Sequence, residues 1–293
     1  MARAVIKRMG LSDAEAGENG GLRMFQQERK GRLTVFQSPL LQKERDLLHG
    51  FSSRGGGYSQ GCYAGLNLGL TSGDQVVTVQ QNRRLFAAVL GISPEQVVCG
   101  HQVHSANIAH VRKGDMGRGF LDARQALPEI DGLVTNERGI ALMTLYADCV
   151  PVLFYEPVQR VIAVCHCGWK GTVQKIAANM AQVMVDSYGC DVRQIRAAIG
   201  PSISQDAYEV DQPVLERFRQ AFSFAEQLIV PTDREHGKLD LWEANRLQLL
   251  EAGLQENHID VSGLCTFQNS QTFFSHRADQ GKTGRNGALL MMV

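Results

Sequence analysis

Apolar residues recur along this chain mostly in short runs. Strand-length runs lie at residues 33–36, 97–103, 108–111, 132–135, 140–145, 150–155, 161–164, 195–199 and 287–293, most of them bounded by glycine, proline or polar residues. Helical spacing, with apolar positions three and four apart, marks 76–90, 172–187, 214–222 and 241–254. Gly189 closes the second of these, and Gly200-Pro201 stops the strand before it. Ser93-Pro94-Glu95 reads as a helix start with proline in first position. Strands clustered mid-chain, with helices between the later ones, predict a mixed sheet in one α/β domain.

Residues 1 to about 30 are polar and rich in Gly, Glu and Gln, and predict a flexible leader ahead of a single catalytic domain over 31–293. No repeat and no linker-like stretch interrupts that span. A strand over His49-Gly-Phe-Ser-Ser-Arg54 runs into a turn dense in glycine, Gly55 to Gly57, then Gly61, Gly65 and Gly69. Such density lets backbone approach a ligand closely or adopt positive φ.

Composition narrows the class. The 293 residues are 44% hydrophobic and 20% charged, with 30 basic and 30 acidic side chains and a formal net charge of +0. That balance argues against a nucleic-acid binder, which carries a basic excess. No apolar run approaches the roughly 20 residues that span a bilayer, so no membrane partner is expected. The first residues lack the apolar core and cleavage site of a secretory signal. Seven cysteines without framework spacing fit free thiols in a reducing, cytoplasmic setting. The oligomeric state is not fixed by any of this.

Three segments carry the candidate chemistry: Cys99-Gly-His-Gln-Val-His104-Ser, Tyr146-Ala-Asp-Cys149-Val-Pro and Val164-Cys-His166-Cys-Gly-Trp-Lys170-Gly. Two imidazoles and a thiolate, His104, Cys149 and His166, suit zinc, and three protein ligands leave a fourth position open. An open zinc brings the pKa of bound water toward neutrality, which points to an enzyme. His49, His101 and His110 compete as ligands. Cys165 and Cys167 flank His166, and period-two alternation puts them on the opposite face of a strand. Pro151 is expected at a broken, edge-like position. A second reading uses no metal: Cys149 as thiol nucleophile and His166 as its base.

Further motifs accompany these three segments: His49-Gly-Phe-Ser-Ser-Arg54, Leu66-Asn67-Leu68-Gly69, Asp131-Gly132, Ile199-Gly-Pro201-Ser-Ile, and Phe274-Ser-His-Arg277 through Gly284-Arg285. In this order, from about residue 49 to the end, the chain resembles the bacterial YfiH/YlmD family, formerly labelled multicopper polyphenol oxidoreductases or laccases. The resemblance implies a layered α/β/β/α sandwich, related to a toxin with a Cys-His deamidase site. It implies zinc on His104, Cys149 and His166. It also implies phosphorolysis of adenosine, inosine, guanosine and methylthioadenosine, and deamination of adenosine, so that the partners are purine nucleosides and phosphate. The chain departs from the usual pattern at Ser105, Cys167 and Lys170, without losing a ligand.

Within that frame Asp148, next to Cys149, is the candidate proton shuttle, or it orients a ligand. Arg54, on its glycine-rich turn, is the expected phosphate anchor, with Lys170 and Arg277 as further cations. Asn67 is expected to bind sugar or base, or to cap a turn, and for Tyr208 and Glu209 the sequence does not separate lining the pocket from packing. Two alternatives stand beside this. One is a cysteine-type amidase acting on a cell-wall precursor at the same residues. The other is a copper polyphenol oxidase, which imidazole ligands would suit, but the chain has eight histidines and no His-x-His pair.

Overall fold

Between Val161 and Cys167 every residue is buried. Val161, Ala163, Cys165 and Cys167 pack under helices, whereas Ile162 and Val164 pack against a second sheet. Burial on both faces explains why these strands read as unbroken apolar runs. The computed structural model describes residues 25–293. In chain order its strands begin with β1 (Gln26–Lys30), β2 (Leu33–Gln37), β3 (Leu47–Ser52), β4 (Val97–Cys99) and β5 (Ile108–His110). β6 (Gly132–Thr135), β7 (Ala141–Tyr146), β8 (Val150–Glu156), β9 (Val161–Cys167) and β10 (Arg196–Ile199) follow. The last are β11 (Glu209–Asp211), β12 (Ile229–Pro231), β13 (His236–Leu239), β14 (Ile259–Val261) and β15 (Asn286–Met292). The helices are α1 (Pro39–Gln42), α2 (Val76–Val89), α3 (Trp169–Val173), α4 (Ile176–Tyr188), α5 (Gln212–Ala221), α6 (Ala225–Leu228) and α7 (Leu241–Glu251).

Two six-stranded sheets form the body, in the orders β1-β2-β3-β15-β7-β4 and β14-β10-β8-β9-β6-β5. Most neighbours are antiparallel, while β4–β7, β5–β6 and β10–β14 run parallel at sheet edges. Phe51, Leu142 and Leu290 of the first sheet meet Leu153, Ile162 and Val164 of the second in one core between the sheets. Phe86 and Ala87 of α2 cover the outer face of the first sheet, over Met143, Leu289 and Met291. Met180 and Met184 of α4, Phe218 of α5 and Leu249 of α7 cover the other, over Val152, Phe154 and Ala163. The result is the expected α/β/β/α mixed-sheet sandwich. No helix among the described residues is long and apolar enough to cross a membrane.

Several expectations are corrected. Residues 1–24 of the expected leader lie outside the described residues, but Gln26–Lys30 pair with β2 as a hairpin. The strand expected over 97–103 stops at Cys99, and residues 101–104 leave it as a loop. The helix expected over 172–187 is two: Lys175, at φ +60, breaks it. The start at Ser93 yields a single 3-10 turn, Pro94–Gln96. Pro151 is not at an edge, because β8 lies between β10 and β9. Its carbonyl accepts from Gly200 N at 2.9 Å, so its missing donor faces the point where β10 has ended. The three-stranded sheet β11-β13-β12 was not anticipated; its strands are only three or four residues long.

Gly200 packs where the two sheets close on the site-bearing strand. A methyl there would meet the Phe51 ring and lie 2.9 Å from Pro151 Cγ. Gly200→Ala is therefore expected to cost about 1–3 kcal/mol by overpacking. The check is a thermal midpoint several degrees lower with unchanged far-UV circular dichroism.

Candidate metal centre and its cavity

Three chain segments deliver three donors. His166 projects from the end of β9, paired with Pro151. Cys149 sits in the turn between β7 and β8, after Asp148, which adopts φ +80. His104, at φ +63, lies in the loop after β4. Left-handed backbone at non-glycine residues costs about 1–3 kcal/mol each and persists when the surroundings fix it. Here they do. Asp131 accepts from Val103 N (3.1 Å), His104 N (3.1 Å) and Ser105 N and Oγ (both 2.8 Å). Asp148 accepts from Thr266 Oγ1 (2.6 Å) and Arg277 N (2.7 Å).

The donor atoms of His104, Cys149 and His166 all lie within 4.8 Å of one another. The two rings meet edge to face, with centroids 4.9 Å apart. A tetrahedral zinc with ordinary Zn–N and Zn–S lengths needs donors roughly 3.3–3.8 Å apart, so small rotations would bring the triad to that spacing. His166 Nδ1 bonds to Asp131 Oδ1 at 2.9 Å, and its backbone N donates to Asp131 O at 2.8 Å. With Nδ1 held, Nε2 is the nitrogen left to face a metal. A Cβ at Gly168 would lie 2.9 Å from His104 Cδ2 and 3.1 Å from Cys149 Sγ, so the glycine of His-Cys-Gly-Trp lets the donors approach.

Charge is concentrated here. Burial pushes the Cys149 thiol up, but His166 and His104 outweigh it and hold the thiol at about 6. Burial likewise opposes charge on His166, yet the Cys149 thiolate and the Asp131 carboxylate carry it up to about 10. Burial also raises Asp131, and its bonds to His166 and Ser105 more than offset this, leaving it at about 2. Without a metal the site is a thiolate–imidazolium pair backed by a carboxylate.

A cavity of about 620 Å³ opens over the triad. Lys170, Arg277, Tyr208 and Asp148 line it, as do His101, Gln102, Arg83 and Arg285, which the sequence did not single out as cavity residues. Arg54 and Asn67 are not on its wall. The Arg54 guanidinium bonds Ser270 O (2.7 Å), pairs with Asp279 (3.7 Å) and stacks on Phe274, bracing the loop before β15. Asn67 is fully buried and clamps its own turn, accepting from Gly69 N and Arg285 N at 2.9 Å each. Glu209 is an exposed residue of β11, and its carbonyl accepts from Arg277 Nη2. Of the rival histidines, His49 is buried, held down to about 4 by burial, and accepts from Ser38 N. His110 is exposed against Tyr188. Gln102 is a strut, exchanging two 2.8 Å bonds with the Leu145 backbone.

Comparison with known proteins agrees with this architecture. A family model described as multi-copper polyphenol oxidoreductase laccase matches residues 48–293. The purine nucleoside phosphorylase YlmD of Geobacillus stearothermophilus is 40% identical over 264 residues, 89% of this chain and 94% of that one. The adenosine deaminase RL5, from an unknown prokaryotic organism, is 33% identical over 237 residues, 80% of this chain and 89% of its own. The crystal structure of YlmD from Geobacillus stearothermophilus superposes with a TM-score of 0.87, covering 92% of this chain and 98% of that one at 38% identity.

Asp131→Asn replaces one acceptor oxygen by a donor that faces backbone N–H groups. The expected result is a 10–100-fold weaker metal affinity in a folded protein, read by competition with a chromogenic zinc chelator.

Proposed function

Because the chain belongs to the multi-copper polyphenol oxidoreductase laccase family, whose relatives include the purine nucleoside phosphorylase YlmD and the adenosine deaminase RL5, we propose that it is a zinc-dependent purine nucleoside enzyme. In this reading it splits adenosine, inosine, guanosine and methylthioadenosine with phosphate, and deaminates adenosine. The observation that carries the reading is the open three-donor cluster His104, Cys149 and His166 at the floor of a cavity of about 620 Å³, within the size range of small-molecule sites.

These three residues would hold the metal. Once bound it would supply Lewis-acid polarisation and lower the pKa of a coordinated water. The thiolate and two imidazoles suit zinc, and copper fits such ligands less well as a multinuclear centre, since one cluster of this kind occurs among the described residues. The protein's own groups do the rest. Asp131 fixes the His166 tautomer and the 103–105 loop. Trp169 and Tyr208 give the cavity aromatic walls for a purine. Asp148, beside Cys149 on the cavity wall, is the candidate proton carrier for deamination. Its two oxygens already accept from Thr266 and Arg277, so positioning the Arg277 loop is the larger part of its role.

A second reading rests on one geometric fact. Cys149, His166 and Asp131 stand in the order thiol, imidazole, carboxylate, which is sufficient for a cysteine amidase. Chelation separates the two: a zinc enzyme loses turnover and regains it with zinc, while a thiol enzyme keeps it.

His104→Ala is expected to lose zinc stoichiometry and adenosine turnover together, because an imidazole donor goes while the Cys149–His166–Asp131 line stays intact. Metal analysis alongside product chromatography with and without phosphate reads both. Full turnover by a zinc-free His104→Ala protein would favour the amidase-type site.

A further inference from the structure

Charge on the cavity wall is uneven. Arg83, Lys170, Arg277 and Arg285 line it against a single carboxylate, Asp148. The four cations are not equivalent. Arg277 turns its guanidinium to the Glu209 carbonyl (3.0 Å) and lies over Tyr208. Lys170 is exposed and lies over Trp169. Arg83 and Arg285 line the cavity together with Gly69, Leu70, Thr71 and Ser72.

Arg83 is 2% exposed, and it donates to the carbonyls of Leu68 (2.6 Å), Gly119 (2.9 Å) and Phe120 (2.6 Å) and, at 3.9 Å, to Cys99 Sγ. Neither Arg83 nor Arg285 forms an ion pair among the described residues. Arg285 uses Nη1 on the Thr283 and Gly284 carbonyls, at 2.9 and 3.0 Å, leaving Nε and Nη2 without a protein acceptor among the described residues. Its backbone is fixed on both sides: its N donates to Asn67 Oδ1, and its O accepts from Leu68 N. A Cβ at Gly69 would lie 2.8 Å from Arg285 Cγ, so glycine there gives the side chain its path. Arg285 is part-buried and its charge is shared only at a distance with Cys149 and Asp148, and a fixed fork with two free donors matches a tetrahedral oxyanion.

We propose that Arg285, with Arg83 behind it and the Gly69–Ser72 turn beside it, forms the subsite for free inorganic phosphate. The proposal rests on the phosphorolysis reading of the same cavity. It moves the phosphate anchor from Arg54 to Arg285 and makes Arg54 and Asn67 positioning residues. In the reaction it serves, a phosphate oxygen forms a bond to C1′ as the C1′–N9 bond breaks. The bonding pair leaves with the purine, and the proton of the phosphate passes to the purine. Arg285 holds the attacking dianion and Arg83 supplies field from the buried wall.

The test is calorimetric titration of the zinc-loaded, full-length protein with inorganic phosphate, with adenosine 5′-monophosphate in a parallel arm. Arg285→Gln is expected to weaken phosphate binding at least about tenfold, the loss typical of charge-assisted bonds, with zinc content and melting temperature retained. Arg285→Lys should recover part of it as a point charge. Arg193→Gln, which breaks a surface pair with Asp191, serves as the control and keeps full binding. Undiminished phosphate binding in Arg285→Gln, no binding by the parent, or binding of the nucleotide alone would each overturn the subsite. Arg285-dependent phosphate binding without ribose 1-phosphate formation from any purine nucleoside would uphold the subsite and sink the purine reading.

Discussion

One buried carboxylate ties the site together. Asp131 accepts from three consecutive backbone amides, the Ser105 hydroxyl and the His166 ring. These partners come from separate stretches of chain: the loop after β4 and the end of β9. Charge-assisted bonds of this kind are roughly twice as strong as neutral ones, and the concentration of donors keeps the group ionised despite burial. Positive φ at His104 follows as a consequence, since the loop must curl to aim its amides at one point. The His166 tautomer follows too. Removing the charge would release both donors at once, so Asp131 organises the candidate centre without being one of its three donors.

The sandwich supplies the rest of the geometry. Alternation along β9 sends Cys165 and Cys167 under the helices and leaves His166 on the face between the sheets. β8 then brings Cys149 level with it through the pairing of Val150 with Cys167 and Pro151 with His166. Proline is tolerated at this inner strand because β10 ends at Ile199 and the Gly200 carbonyl opposite it accepts from Ser202 Oγ instead. Fold and centre thus share a cause: the sheet-to-sheet packing that buries Ile162 and Val164 also sets the height at which His166 emerges.

Much of this was legible in the residues, and what was not has a physical pattern. Strand runs and the split of His166 from its neighbouring cysteines are local properties, fixed by period-two geometry. Gly168 and Asp131 stand in motifs whose roles are not local, because Asp131 meets residues 103–105 and His166, 26 to 35 positions away, and Gly168 meets His104. Arg54 and Asn67 looked like ligand residues because a glycine-rich turn with Arg and Asn suits an anion. In the fold those same features brace neighbouring loops, and Asn67 clamps Arg285 across 218 residues of sequence. The break at Lys175 was hidden because apolar periodicity continues across it, while Phe222 lies under the lysine side chain (5.5 Å). The small sheet escaped notice because three-residue strands carry too few alternations to read.

The family description names several copper ions, whereas the described residues offer one candidate cluster. Oxidation of a phenol needs redox-active ions arranged to pass electrons onward, hence several clusters rich in imidazole. The described residues bring together one cluster, of two imidazoles and a thiolate. Its thiolate is already favoured without a metal, because His166 and His104 offset burial, so under the proposed zinc reading the ion would meet a pre-ionised donor. The cavity above it makes the same distinction. Four cationic side chains against one carboxylate give little advantage to a neutral phenol. Under the proposed phosphorolysis they would favour an anion brought in beside a neutral purine nucleoside.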